Sequence, residues 1–171
     1  MLSAVIGLGS NLGERQNYLT FALNALRRDG VRVVRRSPFY ETEPWGFKEQ
    51  PRFINAVALI ETDLNPRELL YELQALENAC NRVRTEEHYG PRTLDLDILD
   101  IKGLFLADPE LTLPHPRLQL RAFVLKPWYA LDKDYVLADG RRIRELLEAL
   151  PPEELQGVNA LNEEDYGQPS L

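Results

Sequence analysis

Three observations predict an α+β fold for this 171-residue chain, with helices on one face of an antiparallel sheet. Strand-like and helix-like stretches follow one another in the order strand, helix, strand, strand, helix, strand. The helical stretches carry apolar residues at a period of about 3.6, and the strand-like ones carry β-branched and aliphatic runs. Further helical pattern lies toward the C-terminus. The order is the split βαβ arrangement, βαββαβ, of ferredoxin-like sandwiches with extra C-terminal helices.

Residues 1–8 read as a buried apolar strand, and Asn11 to Glu14 as a polar turn. A helix is expected from about Arg15 to Arg28, with Leu19, Ala22, Leu23 and Leu26 on one stripe and Gly30 after its end. Val31 to Tyr40 reads as a strand. Pro44, Gly46 and Pro51 break Thr42 to Pro51 into a loop. Phe53 to Thr62 is rich in Val, Ile and Leu, as a strand requires. Asn65 caps a second helix with Pro66 at its first position, and Leu69, Leu73, Leu76 and Cys80 form its ridge. Arg82 to Pro91 is a second long loop, and a strand carrying Asp95 follows it. Phe105 is expected to continue a small hairpin after Lys102-Gly103. Helices are expected over Arg121–Leu131, with a break or kink at Pro127, and over Arg142–Leu150.

Composition is that of a globular protein, 44% apolar and 27% charged. The chain reads as one catalytic domain over residues 1–155, followed by a loose acidic tail over 156–171. No apolar run approaches the roughly 18 residues of a membrane span. Met1 to Leu8 lacks the basic lead-in of a signal peptide. Cys80 is the only cysteine, so an intrachain disulfide is excluded; with only two histidines, a structural zinc site is disfavoured. A cytoplasmic monomer is expected, without membrane or nucleic-acid partners. The net charge of −7 is not spread evenly: residues 145–171 hold seven acids and no Lys or Arg, leaving 20 acids and 20 bases in the rest. The body therefore has no global field to draw nucleic acid, and any anion site must be local.

Leu94, Leu96 and Ile98 alternate with Asp95 and Asp97. On a strand the aliphatic residues point one way and both carboxylates the other, roughly 6–7 Å apart. Magnesium is usually held by one or two carboxylates plus substrate phosphates, and an arginine such as Arg92 matches phosphate oxygens with a planar fork. The same pattern also describes an edge strand with a solvated acidic face. Arg82 and Arg84 open the long loop that Arg92 closes, and such a loop could close over a polyphosphate. Gln74 and Glu77 share a helix face before that loop, either reaching the same cleft or facing water. His115 lies between Pro114 and Pro116 in a stiff segment, with Arg121 and Phe123 shortly after. Trp45, Phe47, Phe53, Tyr89 and Phe123 read as aromatics clustered in loops. With the amide of Asn55, flat rings could sandwich a planar heterocycle and read its edge.

Gly7-Leu8-Gly9-Ser10-Asn11-Leu12-Gly13 has one residue too many for a dinucleotide fingerprint. The next strand carries Arg32, Arg35 and Arg36 where that motif needs an acid, and no P-loop is present. Asn11 is equally consistent with a turn residue and with a ligand contact.

Taken together, these residues resemble the 6-hydroxymethyl-7,8-dihydropterin pyrophosphokinases of folate biosynthesis. The likeness runs from about Val5 to Leu150. It rests on Gly9-Ser10-Asn11-Leu12, Phe39-Tyr40, Gln50-Pro51 with Asn55, Arg82-Val83-Arg84, the run from His88 to Asp97, and Pro114-His115-Pro116. The resemblance implies an ATP-dependent transfer of pyrophosphate to the pterin's hydroxymethyl oxygen, giving the pterin diphosphate and AMP. It implies two Mg2+ ions on Asp95 and Asp97 and catalytic arginines at Arg82 and Arg92. It puts Gln74, Glu77, Arg84, His115 and Arg121 on the ATP side. Thr42, Pro44, Trp45, Phe53, Asn55 and Phe123 would surround the pterin, and Asn11 and Tyr89 would belong to mobile loops. Tyr89 stands where many members have tryptophan, and Phe53 where tyrosine is frequent; both keep a ring. The alternatives are an RNA-recognition module, which shares the strand order but needs aromatics on its central strands, and a metal-dependent phosphate hydrolase.

Overall fold

The structure is a computed structural model that describes residues 1–42, 52–80 and 93–162. Strand β1 (Leu2–Ser10) runs two residues past its expected end. Helix α1 (Arg15–Arg28) buries Leu19, Ala22, Leu23, Ala25 and Leu26, and Gly30 follows it with φ 84°. The expected strand from Val31 to Tyr40 is two strands, β2 (Val31–Arg36) and β3 (Tyr40–Thr42). Ser37 causes the break: its Oγ accepts the Val57 N–H at 3.0 Å, while Pro38 has no N–H to continue a ladder. Strand β4 (Phe53–Thr62) and helix α2 (Pro66–Ala79) begin and end as expected, and the Asn65 side chain accepts the Glu68 N–H at 2.8 Å.

Strand β5 (Asp95–Ile101) follows, then a short hairpin of β6 (Leu106–Ala107) and β7 (Thr112–Leu113). Phe105 is not in that hairpin. Gly103, with φ 73°, makes the preceding turn, and Phe105 is left exposed outside the strands. Helix α3 (Ala122–Leu131) runs through Pro127 instead of breaking there, its last turn held by the buried Trp128 and Leu131. Helices α4 (Ile143–Glu148) and α5 (Pro152–Gln156) precede strand β8 (Val158–Ala160). A loose segment from residue 156 is thus not what forms over Val158–Ala160, because those residues find the open edge of β3.

Among the described residues the main sheet is antiparallel, in the order β5-β1-β4-β3-β8, with β2 also on β4. Leu8, Ile54, Ala56, Leu96 and Ile98 face the core shared with α1 and α2. Val5, Val57 and Leu99 face a second core under α3, with Leu118, Trp128 and Tyr135. The sheet is therefore covered on both sides, which differs from helices on one face alone. No helix among the described residues is long and apolar enough to cross a membrane.

Candidate functional site

The register of β1, β4 and β5 assembles the site on the second face of the sheet. Asp95 pairs with Gly9, which pairs with Asn55, which pairs with Tyr40; one pleat along, Asp97 pairs with Gly7 and Gly7 with Val57. Paired residues project to the same face, so Asp95, Asp97 and Asn55 stand on one side with only glycine between them. At about 4.8 Å per strand, the Asp95 and Asn55 backbones are roughly 10 Å apart. Gly7 lies inside β1 as expected, and Gly9, just past the expected end of that strand, lies inside it too. The signal for this was present as two glycines at strand spacing on the face opposite Leu8.

Gly9 is required by close approach. A Cβ there would lie 2.7 Å from Asn55 Nδ2. Asn55 is itself held, because its Oδ1 accepts the Thr42 hydroxyl at 2.7 Å between two buried side chains. That bond fixes which end of the amide points back toward β1. Phe53 is half-buried two residues before Asn55 on the same face, so it belongs to a strand and not to a loop.

At the other end of the row, Asp95 and Asp97 are half-buried, with Asp97 38% exposed. Arg121, at the start of α3, places Nη1 3.7 Å from Asp97 Oδ2. Its guanidinium carbon lies 5.7 Å from the centroid of the Phe123 ring, which brings the helix aromatic to the same place. His115 is anchored by its backbone N–H to Leu99 O at 2.8 Å, and its Nδ1 accepts the Arg117 N–H at 3.3 Å. Burial pushes the imidazole pKa down to about 4, Arg121 adds to the shift, and Asp95 opposes it. His115 is therefore a neutral hydrogen-bonding group at neutral pH. Burial also lowers the Arg121 pKa, against the pull of Asp97 and Asp95.

Gln74 is half-buried on α2, one turn before Glu77. Glu77 does not face water. It is buried, and its Oε2 accepts the Leu96 N–H at 2.9 Å between the two aspartates. The Thr93 hydroxyl donates to Cys80 O at 2.6 Å, tying the start of β5 to the end of α2. Asn11 is buried just after β1. Pro44, Trp45, Arg82, Arg84, Tyr89 and Arg92 lie outside the described residues.

Two carboxylates on one face, partly open to solvent and close to a cationic side chain, fit a hard divalent cation whose remaining ligands are phosphate oxygens and water. Asp95 and Asp97 are the donors available for it. Among the described residues no group of three or more His, Cys, Asp or Glu side chains is placed to hold a metal ion, so an all-protein cage is not offered there.

The family model described as 7,8-dihydro-6-hydroxymethylpterin-pyrophosphokinase (HPPK) matches residues 5–133. A 2-amino-4-hydroxy-6-hydroxymethyldihydropteridine pyrophosphokinase of Pseudomonas aeruginosa is 46% identical over 152 residues, covering 88% of this chain and 93% of the relative. One of the same name from Methylorubrum extorquens is 41% identical over 159 residues, covering 92% and 99%. Among solved structures, an HPPK-DHPS in complex with substrates aligns with a TM-score of 0.68 at 13% identity, over 86% of this chain. The chain spans 43% of that longer protein, and the likeness bears on the fold.

Proposed function

The chain belongs to the 7,8-dihydro-6-hydroxymethylpterin-pyrophosphokinase family, and from that premise we propose how its own residues carry out the reaction. It transfers pyrophosphate to the hydroxymethyl group of 6-hydroxymethyl-7,8-dihydropterin in folate synthesis. The donor is ATP. The pterin hydroxymethyl oxygen bonds to the β-phosphorus, the bond from that phosphorus to the α,β-bridging oxygen breaks, and AMP leaves. The hydroxyl proton passes to solvent; no side chain is assigned as its base. The observation that supports this reading is the cross-strand row of Asp95, Gly9 and Asn55, which brings a carboxylate and an amide to one face of the sheet with only glycine between them.

Asp95 and Asp97 would hold two Mg2+ ions, whose chemistry when bound would be to offset polyphosphate charge. Arg121 lies against the same carboxylates and would bind phosphate oxygens. His115, neutral, would donate or accept a hydrogen bond on the nucleotide side, with Gln74, Glu77 and Arg84. Arg82 and Arg92 are the proposed catalytic arginines, acting by charge stabilisation as the polyphosphate is cleaved. Thr42 and Asn55 would read the edge of the pterin, and Phe53 and Phe123 would flank its plane. Pro44 and Trp45 would complete that pocket, and Asn11 and Tyr89 would lie on the loops that close it.

The strand order β5-β1-β4-β2 with α1 and α2 on one face supports a ferredoxin-like core, to which β3, β8 and the C-terminal helices are added. The body is proposed as a single catalytic domain acting as a cytoplasmic monomer.

The test is incubation with ATP and Mg2+, with and without the hydroxymethyl pterin. AMP and pterin diphosphate formed only when pterin is present are the expected result. Phosphate release without pterin would instead indicate a hydrolase. Asp95→Asn and Asp97→Asn are expected to lower turnover by about 10²-fold or more and to alter the Mg2+ dependence. Unchanged turnover and cation dependence in the double variant would overturn the metal assignment.

A further inference from the structure

Beyond α4 the chain returns to the sheet as a strap. Strand β8 pairs antiparallel with β3, Thr42 opposite Val158 and Tyr40 opposite Ala160, and the Leu161 N–H extends the contact to Phe39 O at 2.9 Å. Val158 is buried in the second core beside Tyr40. Strand β3 is only three residues long, and β4 is its other partner. The strap therefore covers the outer edge of the strand that carries Thr42.

Lys126 joins this strap to α3. Its Nζ donates to Leu155 O at 3.0 Å and to Val158 O at 2.6 Å. These are charge-assisted bonds from a half-buried side chain. Lys126 is one turn after Phe123 on the same helix, at i+3. Phe123 belongs to one wall of the proposed pterin slot, and Thr42, Phe53 and Asn55 belong to the other. The bonds of Lys126 span from the first wall to the element backing the second.

We propose that Lys126 is a positioning residue for the pterin slot, fixing the separation of Phe123 from the β3–β4 edge by tying α3 to the C-terminal strap. The proposal rests on the pterin assignment above. A slot for a flat heterocycle is sensitive to its width, since a misplacement of about 1 Å can cost up to about 10²-fold in rate. Lys126 touches neither substrate and acts through the walls.

The experiment is steady-state kinetics of the full chain with both substrates varied. Lys126→Met keeps the aliphatic stem and removes the donors. Its KM for the pterin is expected to rise about tenfold while its KM for ATP stays within about twofold. Lys126→Arg keeps donors and is expected to recover most of the pterin affinity. A purely structural role would lower the active fraction, hence apparent turnover, and leave both KM values alone. If Lys126→Met is insoluble, Leu161→Pro removes the amide that holds the strap to Phe39 and decides by a smaller shift in the same direction. An unchanged pterin KM in the variant read, an equal rise in both KM values, or no recovery in Lys126→Arg overturns the proposal. Asn55→Ala separates the two layers. If it raises pterin KM and Lys126→Met does not, the Lys126 role alone fails; if it leaves pterin KM unchanged, the pterin assignment fails first.

Discussion

The Glu77 carboxylate accepts the backbone N–H of Leu96 at 2.9 Å, and Leu96 stands between Asp95 and Asp97. Among the described residues strand β5 is at the edge of the sheet, so an outward N–H there meets no neighbouring described strand. Helix α2 supplies the acceptor in place of a strand. One buried side chain thereby sets the backbone that carries both carboxylates. Glu77→Ala leaves a buried N–H unsatisfied and is expected to cost about 2–3 kcal/mol of stability, while Glu77→Gln, which keeps an acceptor oxygen, should cost less. Urea unfolding of the two variants checks this. Equal losses would mean that charge, not the bond to Leu96, is what Glu77 contributes.

His115 should titrate far below an ordinary histidine in the metal-free protein. Its pKa is pushed from 6.5 to about 4, chiefly by burial and then by Arg121. The folded state therefore stays neutral at a pH where the unfolded chain takes up a proton. The sign follows: His115's contribution to stability is complete above about pH 6.5 and is lost as pH falls toward about 4. Imidazole NMR shifts should show a midpoint near 4, and Arg121→Ala should move it upward. A midpoint near 6.5 in the parent protein would contradict the burial of the ring.

Gly9→Ala is expected to damage the site more than the fold. The new Cβ would sit 2.7 Å from Asn55 Nδ2, and Asn55 cannot swing away without stretching its bond from Thr42. A loss of about 1–3 kcal/mol is expected from such overpacking. Binding of the pterin, followed by its fluorescence, should weaken, while ATP binding should change little. Gly7→Ala is the control: a Cβ there meets Leu99 at 3.4 Å, close but against a flexible side chain.

The sequence by itself determined what is local. The alternation of Leu94, Leu96 and Ile98 with Asp95 and Asp97 follows from the two-residue period of a strand, and burial bears it out. The Asn65 cap, Pro66 and the Leu69–Leu73–Leu76 ridge placed α2 because caps and helical period act within a few residues. Family membership was legible in the motifs along the chain, among them the run from His88 to Asp97, since a long ordered set of residue types can be read without coordinates.

Only the tertiary structure decided the rest. Leu99 has no partner on β1: Ile6 pairs with Ile98 and Val5 with Asp100. This bulge turns Asp100 away from the face that alternation gives it. Its carboxylate accepts the Tyr135 hydroxyl at 2.8 Å and the Ala138 N–H at 3.1 Å, and burial raises its pKa. The helical pattern left Glu77 open between the cleft and water, and its side chain is buried against the β5 backbone, where it accepts the Leu96 N–H. Residues 158–160 looked like loose tail, and they became a strand because β3 offered an open edge and Lys126 two donors' worth of hold. In each case the partner lies far along the chain, so the bond that settles the conformation leaves no periodic trace near the residue it fixes.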